Sequence, residues 1–433
     1  YSMVKKIKLG LLGGGTVGTG VVKVLQDNYH DIKEKIGCDI EVSKVLVRNV
    51  EKHRALADMV TLTTNADDIL EDKEIDIVVE LLGGIHPALE YMLKAMNNGK
   101  HVVTANKDVV AQFGKDVFEA AEKNDVDFMF EASVGGGIPI ITPLKQSLTA
   151  NKITDLIGIV NGTTNYMLTK MAEQGMDYAT ALQRAQAKGY AEADPTADVE
   201  GLDAARKVAI LSSIAFNTRI SLDDVKVEGI TKITPEDISY AKELGFAVKL
   251  LAVAKNTKDG IDVRVHPTFL PKSHPLASVR NVYNAVFIHG NAVGDTMFYG
   301  RGAGEKPTAS AVLADIIDVA RDMGKDRFGR IRCTCYEEKK LCPPDKVRSG
   351  YYIRLLVEDK PGVLGAIATA FGESEISLHS VIQKRKVDDR SEIVAITHDV
   401  NNSQIEDIKV RLNNLDVVSE ISNMIRVIMP QGD

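Results

Sequence analysis

Cysteine and tryptophan are scarce in this sequence, which has four cysteines and no tryptophan in 433 residues. So few cysteines cannot form a disulfide framework, and they indicate a reducing compartment. No apolar run approaches the ~20 residues of a membrane-spanning helix, and the start, YSMVKKIKLGLLGGG, turns glycine-rich where a signal peptide would be apolar. We therefore expect a soluble cytoplasmic protein with no membrane partner, whose natural chain starts at Met3.

Positive charge is not in excess either. Lys and Arg total 53 against 60 Asp and Glu, a formal net charge of −7, so no overall positive field exists to hold a nucleic acid. The hydrophobic fraction of 44% and the charged fraction of 26% are those of a globular protein. A chain of 433 residues is long enough for two or three domains.

Residues 3–138 alternate short apolar runs with amphipathic stretches, of which Val17 to about Ile36 predicts a helix. Runs such as IDIVVELL are apolar at nearly every position, as in strands that crossover helices bury on both faces of a parallel sheet. This pattern predicts a doubly wound α/β domain of the Rossmann-like, nucleotide-binding kind.

The remainder divides into four parts. Residues 139–304 mix longer helices, such as Ile140 to Leu148, with strands and predict an α+β catalytic and dimerisation domain. Residues 305–325 predict a helix that returns to the first domain. Residues 326–349 hold three cysteines, Cys333, Cys335 and Cys342, and are interpreted as a linker, with a zinc site as a weak alternative. Residues 350–430 have the order βαββαβ, which predicts a ferredoxin-like domain.

The segment GLLGGGTVG places Gly13, Gly15 and Gly18 between a strand and a helix that starts near Thr16 and Val17. Glycines at these positions let the backbone approach a pyrophosphate, and the helix N-terminus favours its negative charge. We interpret it as a dinucleotide site; the alternative is an ordinary glycine-rich turn.

Three further residues follow predicted strands and are candidates for cofactor binding. Arg48 stands where an NAD-selective protein usually has Asp or Glu, and a guanidinium can hold a 2′-phosphate, so NADP is favoured, with NAD as the alternative. Thr104 and Lys107 follow a later strand, on the side where the nicotinamide would lie. For both the arginine and the lysine, the alternative is a solvated surface charge.

The stretch GYAEADPTADVEGLDAARK combines a loop rich in acids with a helix start. Asp203 and Lys207 are four residues apart and so share a helix face, and Glu192 lies upstream. A surface ion pair is the simplest interpretation. The apolar residues that follow Lys207 favour a pocket instead, with the acids facing the cationic end of an amino-acid substrate.

This stretch, together with GLLGGGTVG, TANK, EASVGGGIPI and NGTTNY in the same order, resembles the homoserine dehydrogenase family over essentially the whole chain. The resemblance implies NAD(P)-dependent interconversion of homoserine and aspartate semialdehyde on the branch toward threonine and methionine. It implies proton transfer by Lys207 with Lys107 beside it, substrate binding by Glu192 and Asp203, and backbone contacts from Gly189 and Gly302 to the cofactor. It also implies a monovalent cation site, commonly for sodium, at Glu131, Val134, Gly136 and Ile138.

The C-terminal segment, VEDKPGVLGAIATAFGESEISLHSVIQ, resembles an ACT domain. ACT domains usually pair across subunits and bind an amino acid near the turn that here spans Asp359 to Leu364, which implies threonine as an inhibitor. Glu375 stands where many amino-acid-binding members have Asn, so a purely structural oligomerisation module is the alternative. We expect a homodimer formed through the second domain, or a homotetramer with paired ACT domains.

Two other functions fit the sequence less well than homoserine oxidation. Aspartate-semialdehyde dehydrogenase needs an activated cysteine in its catalytic domain, whereas Cys38 precedes the second strand and the other three are in the linker. A non-catalytic nucleotide and amino-acid sensor would not need Lys107, Glu192, Asp203 and Lys207 together.

Overall fold

The computed structural model describes residues 6–323 and 332–429. Residues 3–5, 324–331 and 430 of the predicted domains lie outside this part. The chain forms two compact units: unit 1 comprises Tyr1–Ile153, Arg206–Val225 and Asn284–Glu338, and unit 2 comprises Thr154–Ala205, Lys226–Tyr283 and Lys339–Asp433. Within the described residues, no helix combines the length and the apolar character needed to cross a bilayer.

The strands are β1 (Lys6–Leu12), β2 (Asp39–Leu46), β3 (Thr61–Thr63), β4 (Ile77–Glu80), β5 (His101–Thr104), β6 (Phe128–Met129), β7 (Ile153–Ile159), β8 (Lys226–Val227), β9 (Phe246–Thr257), β10 (Gly260–Pro271), β11 (Tyr283–Gly290), β12 (Gly294–Arg301), β13 (Arg348–Glu358), β14 (Leu378–Val387), β15 (Arg390–Thr397), β16 (Val400–Asn401) and β17 (Val418–Val427).

The α-helices are α1 (Thr16–Asp27), α2 (Tyr29–Ile36), α3 (Arg54–Ala57), α4 (Asp67–Leu70), α5 (Ala88–Asn97), α6 (Lys107–Lys123), α7 (Gly162–Gln174), α8 (Tyr178–Ala187), α9 (Thr196–Val199), α10 (Leu202–Ala215), α11 (Pro235–Glu243), α12 (Glu305–Asp322), α13 (Val363–Glu373) and α14 (Asn402–Asn413).

Unit 1 contains a six-stranded sheet in the order β3-β2-β1-β4-β5-β6, with every neighbouring pair parallel. This is the strand order of a nucleotide-binding Rossmann fold, so the predicted doubly wound domain is confirmed. Helices α1 and α12 share one hydrophobic core with residues of β1 such as Ile7 and Leu9. The order of the sheet places the crevice for a ligand between β1 and β4, where the direction of winding reverses.

Two predicted helices differ from those observed. The stretch from Val17 to Ile36 was expected as one helix, but it breaks at Asn28, which ends α1 and precedes α2. The helix expected from Ile140 to Leu148 is instead a π-helical turn over Pro143–Ser147, in which the Leu148 amide donates to the Pro143 carbonyl at 2.9 Å. Proline cannot donate such a bond itself, which weakens a regular helix at this point.

Unit 2 has one sheet that runs β7-β9-β10-β17-β13-β15-β14, with β8 beside β10 and β16 beside β13. Strands β13 to β17 with α13 and α14 form the ferredoxin-like domain, and their sheet order, β17-β13-β15-β14, is that of an ACT domain. β17 lies parallel to β10, with Thr268 opposite Arg426 and Phe269 opposite Val427. The C-terminal domain therefore extends the sheet of the segment before it.

Candidate active site

The glycine-rich loop after β1 has the geometry that a dinucleotide needs. Gly13 has a φ of +122°, and a Cβ on Gly18 would lie 2.1 Å from the Gly13 carbonyl oxygen. A Cβ on Gly15, in contrast, would meet no described atom within 4 Å. Gly13 and Gly18 therefore allow the tight turn and the close packing of α1. The N-terminus of this helix, at Gly15, the exposed Thr16 and the neighbouring Val17, is open to a pyrophosphate.

Arg48 lies two residues past the end of β2 and is exposed. The neighbouring Arg54 makes an ion pair with Glu51, in which Nη2 and Oε2 are 2.5 Å apart. Arg48 is thus at the position from which a side chain reaches the ribose of a bound dinucleotide, and its predicted contact with a 2′-phosphate remains a prediction.

Thr104 ends β5 and is completely buried. Its hydroxyl donates to Oε2 of Glu80 at 2.6 Å, and the other oxygen of that carboxyl accepts from the Leu82 amide at 2.7 Å. Burial raises the pKa of Glu80. The hydroxyl of Thr104 therefore holds Glu80 at the end of β4, and a cofactor contact from Thr104 itself stays a prediction.

The helices that carry the two candidate lysines are joined by an ion pair. Asp108, at the start of α6, lies 2.8 Å from Nε of Arg206 on α10, measured from its Oδ1. Lys107 precedes Asp108 and Lys207 follows Arg206, so this pair joins the immediate sequence neighbours of the two lysines. The Asn106 side chain, which accepts from the Val109 amide at 3.1 Å, caps α6 at this point. The sequence did not reveal this ion pair because its members are nearly a hundred residues apart.

Asp203 occupies the first turn of α10, one turn before Lys207, and is 8% exposed. The Nδ2 group of Asn161 donates to Asp203 at 3.0 Å and to Asp198 at 2.7 Å. Asn161 also caps α7, because its Oδ1 accepts from the Thr164 amide at 2.9 Å. This buried asparagine fixes the two acids, and sequence reasoning missed its role, although Asn is a residue type preferred at helix N-caps.

Glu192 and Gly189 lie in the exposed loop between α8 and α9. Gly189 has a φ of +72°, a left-handed conformation that favours glycine. The Glu192 carbonyl accepts from the side chain of Gln186 at 3.0 Å, and the residue is exposed. Both residues are accessible, and their predicted contacts with substrate and cofactor remain predictions.

The predicted cation site differs in one respect from what the sequence suggested. Both carboxylate oxygens of Glu131 accept backbone amides, those of Ile140, Ile141 and Thr142, at 2.6 to 2.8 Å. The Glu131 side chain is thus a helix-capping group, and the oxygen it could offer a cation is its carbonyl, which accepts a long 3.5 Å bond from Val134. A cation contact by Glu131 with the carbonyls of Val134, Gly136 and Ile138 stays a prediction.

This turn also packs against the loop that contains Gly302. A Cβ on Gly136 would lie 2.4 Å from the Gly302 carbonyl oxygen, and the Gly137 amide donates to the Arg301 carbonyl at 3.0 Å. A Cβ on Gly302 would in turn clash with Asn284. Glycine is required at both positions, so the turn and the Gly302 loop have one fixed arrangement.

Two linker cysteines, Cys333 and Cys335, belong to unit 1, whereas Cys342 belongs to unit 2. A hydrogen bond with Cys335 lowers the pKa of Cys333 to about 6, and Nη2 of Arg219 is 3.8 Å from the Cys333 sulfur. Over the described part of the chain, no three His, Cys, Asp or Glu side chains group as metal ligands.

Three family models match successive parts of the chain. Residues 13–131 match the homoserine dehydrogenase NAD-binding domain, 139–317 match homoserine dehydrogenase, and 351–417 match the ACT domain. The homoserine dehydrogenase of Bacillus subtilis is 43% identical over 427 residues, which cover 98% of this chain and 99% of that protein. That of Synechocystis is 44% identical over 432 residues, with 98% and 99% covered.

Solved structures give the same result. The crystal structure of a homoserine dehydrogenase from Thiobacillus denitrificans superimposes with a TM-score of 0.94 at 43% identity, covering 99% of both chains. A hyperthermophilic archaeal homoserine dehydrogenase in complex with NADPH has a TM-score of 0.64 at 25% identity and covers 75% of this chain and 100% of that one.

Proposed function

The chain belongs to the homoserine dehydrogenase family and is an NAD(P)-dependent oxidoreductase that acts on the alcohol of homoserine. We propose that Lys207 exchanges a proton with the substrate oxygen and that Lys107 stabilises negative charge on it. The observation that supports this proposal is the Asp108–Arg206 ion pair, which joins α6 to α10 at the residues next to the two lysines. When bound, the nicotinamide supplies hydride transfer to or from the substrate carbon.

Lys207 exchanges a proton with the substrate oxygen, directly or through a water molecule. In the oxidative direction the hydroxyl of homoserine loses its proton, and in the reductive direction the oxygen of aspartate semialdehyde gains one. Lys107 stabilises the negative charge that develops on this oxygen. Both lysines are partly exposed, which is consistent with contact with a substrate.

Asp203 and Glu192 bind the amino end of the substrate. Asp203 is buried and held in place by Asn161, so it offers a fixed carboxylate, while Glu192 lies in an exposed loop. The two acids select a cationic ammonium group and reject a simple alcohol that lacks it.

Replacing Asp203 with Asn is expected to raise KM for homoserine about 10- to 100-fold, because a hydrogen bond between charged groups is lost. KM for the nicotinamide cofactor should stay within about twofold. Asp198→Asn is the matched control, since Asp198 accepts from the same Asn161 side chain but is not assigned to the substrate. Steady-state kinetics with each substrate varied in turn make the comparison, and an equal effect in both variants would contradict the assignment.

The cofactor is NADP, bound at Gly13, Gly15, Thr16, Val17 and Gly18, with backbone contacts from Gly189 and Gly302 and further contacts from Thr104 and Lys107. The exposed Arg48 past β2 supports a 2′-phosphate contact. The NADPH in the related archaeal structure is consistent with this preference.

The variant Arg48→Gln is expected to raise KM for NADP about 10- to 100-fold and to leave KM for NAD nearly unchanged, because only NADP carries the phosphate that the guanidinium contacts. Arg54→Gln is the control, since Arg54 already pairs with Glu51. Formation of reduced nicotinamide from homoserine is the measurement. Equal changes in KM for NAD and for NADP would show that Arg48 does not contact the 2′-phosphate.

Three further features complete the proposal. A monovalent cation, sodium by its hard oxygen ligands, binds the carbonyls of Glu131, Val134, Gly136 and Ile138. The protein assembles as a homodimer or homotetramer. It produces homoserine for the biosynthesis of threonine and methionine. Threonine inhibits it through the ACT domain, whose presence supports amino-acid regulation.

A non-catalytic sensor on the same fold is the alternative. It predicts binding of cofactor and amino acid without turnover. Mixing the protein with homoserine and either NAD or NADP, and following the reduced nicotinamide with and without threonine, distinguishes the two functions and reports the coenzyme preference in the same assay.

A further inference from the structure

A small cavity in unit 1 brings two cysteines together with side chains of α6 and α10. We call it the thiol cavity. Its volume is about 30 Å³, and most of its lining is apolar. The lining groups that carry charge or a reactive thiol are Lys145, Arg219, Cys333 and Cys335. None of its lining residues is assigned to the substrate, the cofactor or the cation, so the cavity is distinct from the candidate active site.

The two thiols of the cavity have different hydrogen-bond partners. Nη2 of Arg219 donates to the sulfur of Cys333 at 3.8 Å, and the thiol of Cys335 donates to the Ser213 carbonyl at 3.8 Å. The two cysteines also hydrogen-bond to each other, which lowers the pKa of Cys333 to about 6 and raises the pKa of Cys335. Cys333 is therefore mainly a thiolate at neutral pH, whereas Cys335 keeps its proton. A nucleophilic thiolate beside a second, resolving thiol is the arrangement of a redox-sensing pair.

Positive charge around Cys333 supports the thiolate further. Arg219 and Lys145 both line the cavity, and both act to lower the pKa of Cys333. Arg219 lies against α6, since a Cβ on Gly114 would be 3.2 Å from its Nη1. Both cysteines are free and partly exposed. Reactive cysteines in proteins occupy partly exposed, electropositive surroundings of this kind.

The spacing of the two cysteines allows them to form a disulfide. One residue separates them, so their Cα atoms are at most ~7 Å apart along an extended chain. Disulfides usually join Cα atoms ~4.4–6.8 Å apart, which a slightly bent segment provides. In the reducing compartment that the cysteine content indicates, a disulfide is usually transient and either catalytic or redox-sensing.

The size of the cavity indicates which oxidant reaches the thiolate. A buried water needs ~10–15 Å³ of such a space, so a cavity of about 30 Å³ admits about two non-hydrogen atoms. Hydrogen peroxide has two oxygen atoms and fits, whereas the alkyl group of an organic hydroperoxide does not.

We propose that Cys333 and Cys335 form a peroxide-reactive dithiol site, in which hydrogen peroxide oxidises Cys333 and Cys335 then closes a disulfide with it. The sulfur of Cys333 attacks one peroxide oxygen, so that an S–O bond forms, the O–O bond breaks, and hydroxide leaves and takes up a proton. The thiol of Cys335 then attacks the sulfenic acid, an S–S bond forms, and the hydroxyl leaves as water with the thiol proton. Two thiols lose two electrons in total, and one peroxide is reduced to two waters.

The disulfide should also affect the reaction assigned to the active site, because the thiol cavity lies against both lysine-bearing helices. Val110 of α6 and Ile210 of α10 line it, each one turn after the lysine at the start of its helix. Closing the disulfide draws the sulfur of Cys335 away from the Ser213 carbonyl of α10. We expect kcat for homoserine oxidation to fall at least twofold on oxidation and to recover with dithiothreitol. This effect on kcat rests on the proposed function, whereas formation of the disulfide does not.

The test treats the reduced full-length protein with hydrogen peroxide, alkylates the remaining thiols with iodoacetamide and digests the protein with trypsin. Cleavage after Arg332 and Lys339 gives one peptide that contains Cys333 and Cys335. This peptide should lose two hydrogen atoms and escape alkylation. Cys342, whose pKa burial raises and which belongs to unit 2, is the internal control and should be alkylated as before. Absence of the disulfide, or oxidation of Cys342 at the same rate, would overturn the dithiol site, and turnover of homoserine by untreated protein tests the proposed function separately.

Three variants assign the roles of the thiols. In Cys335→Ser the sulfenic acid has no resolving thiol, so dimedone, a reagent for sulfenic acids, should label Cys333 after peroxide treatment. Cys333→Ser should form neither product and should keep its kcat in peroxide. Cys342→Ser should behave as the parent protein does, and homoserine turnover before treatment checks that each variant is folded. A loss of kcat in Cys333→Ser equal to that of the parent would assign the peroxide effect to another group and contradict the proposal.

A second peroxide tests the role of the cavity. tert-Butyl hydroperoxide, which is too large for the space, should form the Cys333–Cys335 disulfide at least tenfold more slowly than hydrogen peroxide at equal concentration. The rate of loss of alkylatable thiol measures both reactions. Equal rates for the two peroxides would place the reaction outside the thiol cavity and refute the site.

Discussion

Replacing Lys207 with Met is expected to lower kcat for homoserine oxidation by about 10²- to 10⁴-fold, the range that a positioned proton-transfer group contributes. Methionine keeps the length and flexibility of the side chain but cannot exchange a proton. Asp203, one turn earlier on α10, and Asn161 are untouched, so KM for homoserine should change much less than kcat. Steady-state kinetics in both directions measure the split between the two parameters.

Two controls make this result specific. Lys107→Met should lower kcat less than Lys207→Met does, because its proposed role is to stabilise charge without carrying the proton. Lys123→Met alters an exposed lysine in the last turn of the same helix, α6, and should change kcat by less than about threefold. Near-normal turnover by folded Lys207→Met would remove the proton-transfer role from this residue.

The nucleotide-binding half was predictable from the sequence because its signals are local. Gly13, Gly15 and Gly18 of GLLGGGTVG lie within six residues, and two of them meet a short-range requirement: Gly13 a left-handed turn and Gly18 close packing. The apolar strands that alternate with helices likewise define a parallel sheet before any contact is known. The ferredoxin-like order at the C-terminus followed from the same reasoning.

The parts that the sequence could not reveal depend on distant residues. Asn161 binds Asp198 and Asp203 across roughly forty positions, and Arg206 meets Asp108 across nearly a hundred. The carboxylate of Glu131 accepts the amides of residues 140–142, a contact that the sequence did not indicate, and its predicted role at a cation stays a prediction. The sequence also did not predict the pairing of β10 with β17, because a linker does not determine which strands of the two domains form hydrogen bonds with each other.

The joint between the ACT domain and the rest of unit 2 depends on a buried charge network around Arg354 of β13. Its Nε is 3.0 Å from Asp237 of α11, and its Nη1 is 2.9 Å from Glu392 of β15. The hydroxyl of Tyr352 donates to Asp237 at 2.9 Å, and that of Tyr240 donates to Glu392 at 2.7 Å. Asp237 is completely buried and Glu392 is 3% exposed, so one guanidinium balances two carboxylates away from water.

Arg354→Met should therefore lower the free energy of unfolding by about 3–5 kcal/mol, since it leaves two buried carboxylates without their cation. Arg348→Met, which changes an exposed arginine at the start of the same strand, should cost less than about 0.5 kcal/mol. Chemical denaturation of the full chain, followed by circular dichroism, measures both values.

A triple variant distinguishes lost charge balance from lost packing at this joint. Combining Arg354→Met with Asp237→Asn and Glu392→Gln removes all three charges and should recover part of the lost free energy of unfolding, because neutral amides are less costly to bury than unpaired carboxylates. The same denaturation experiment measures the recovery. A triple variant that is no more stable than Arg354→Met would mean that Arg354 stabilises the joint through its packing alone.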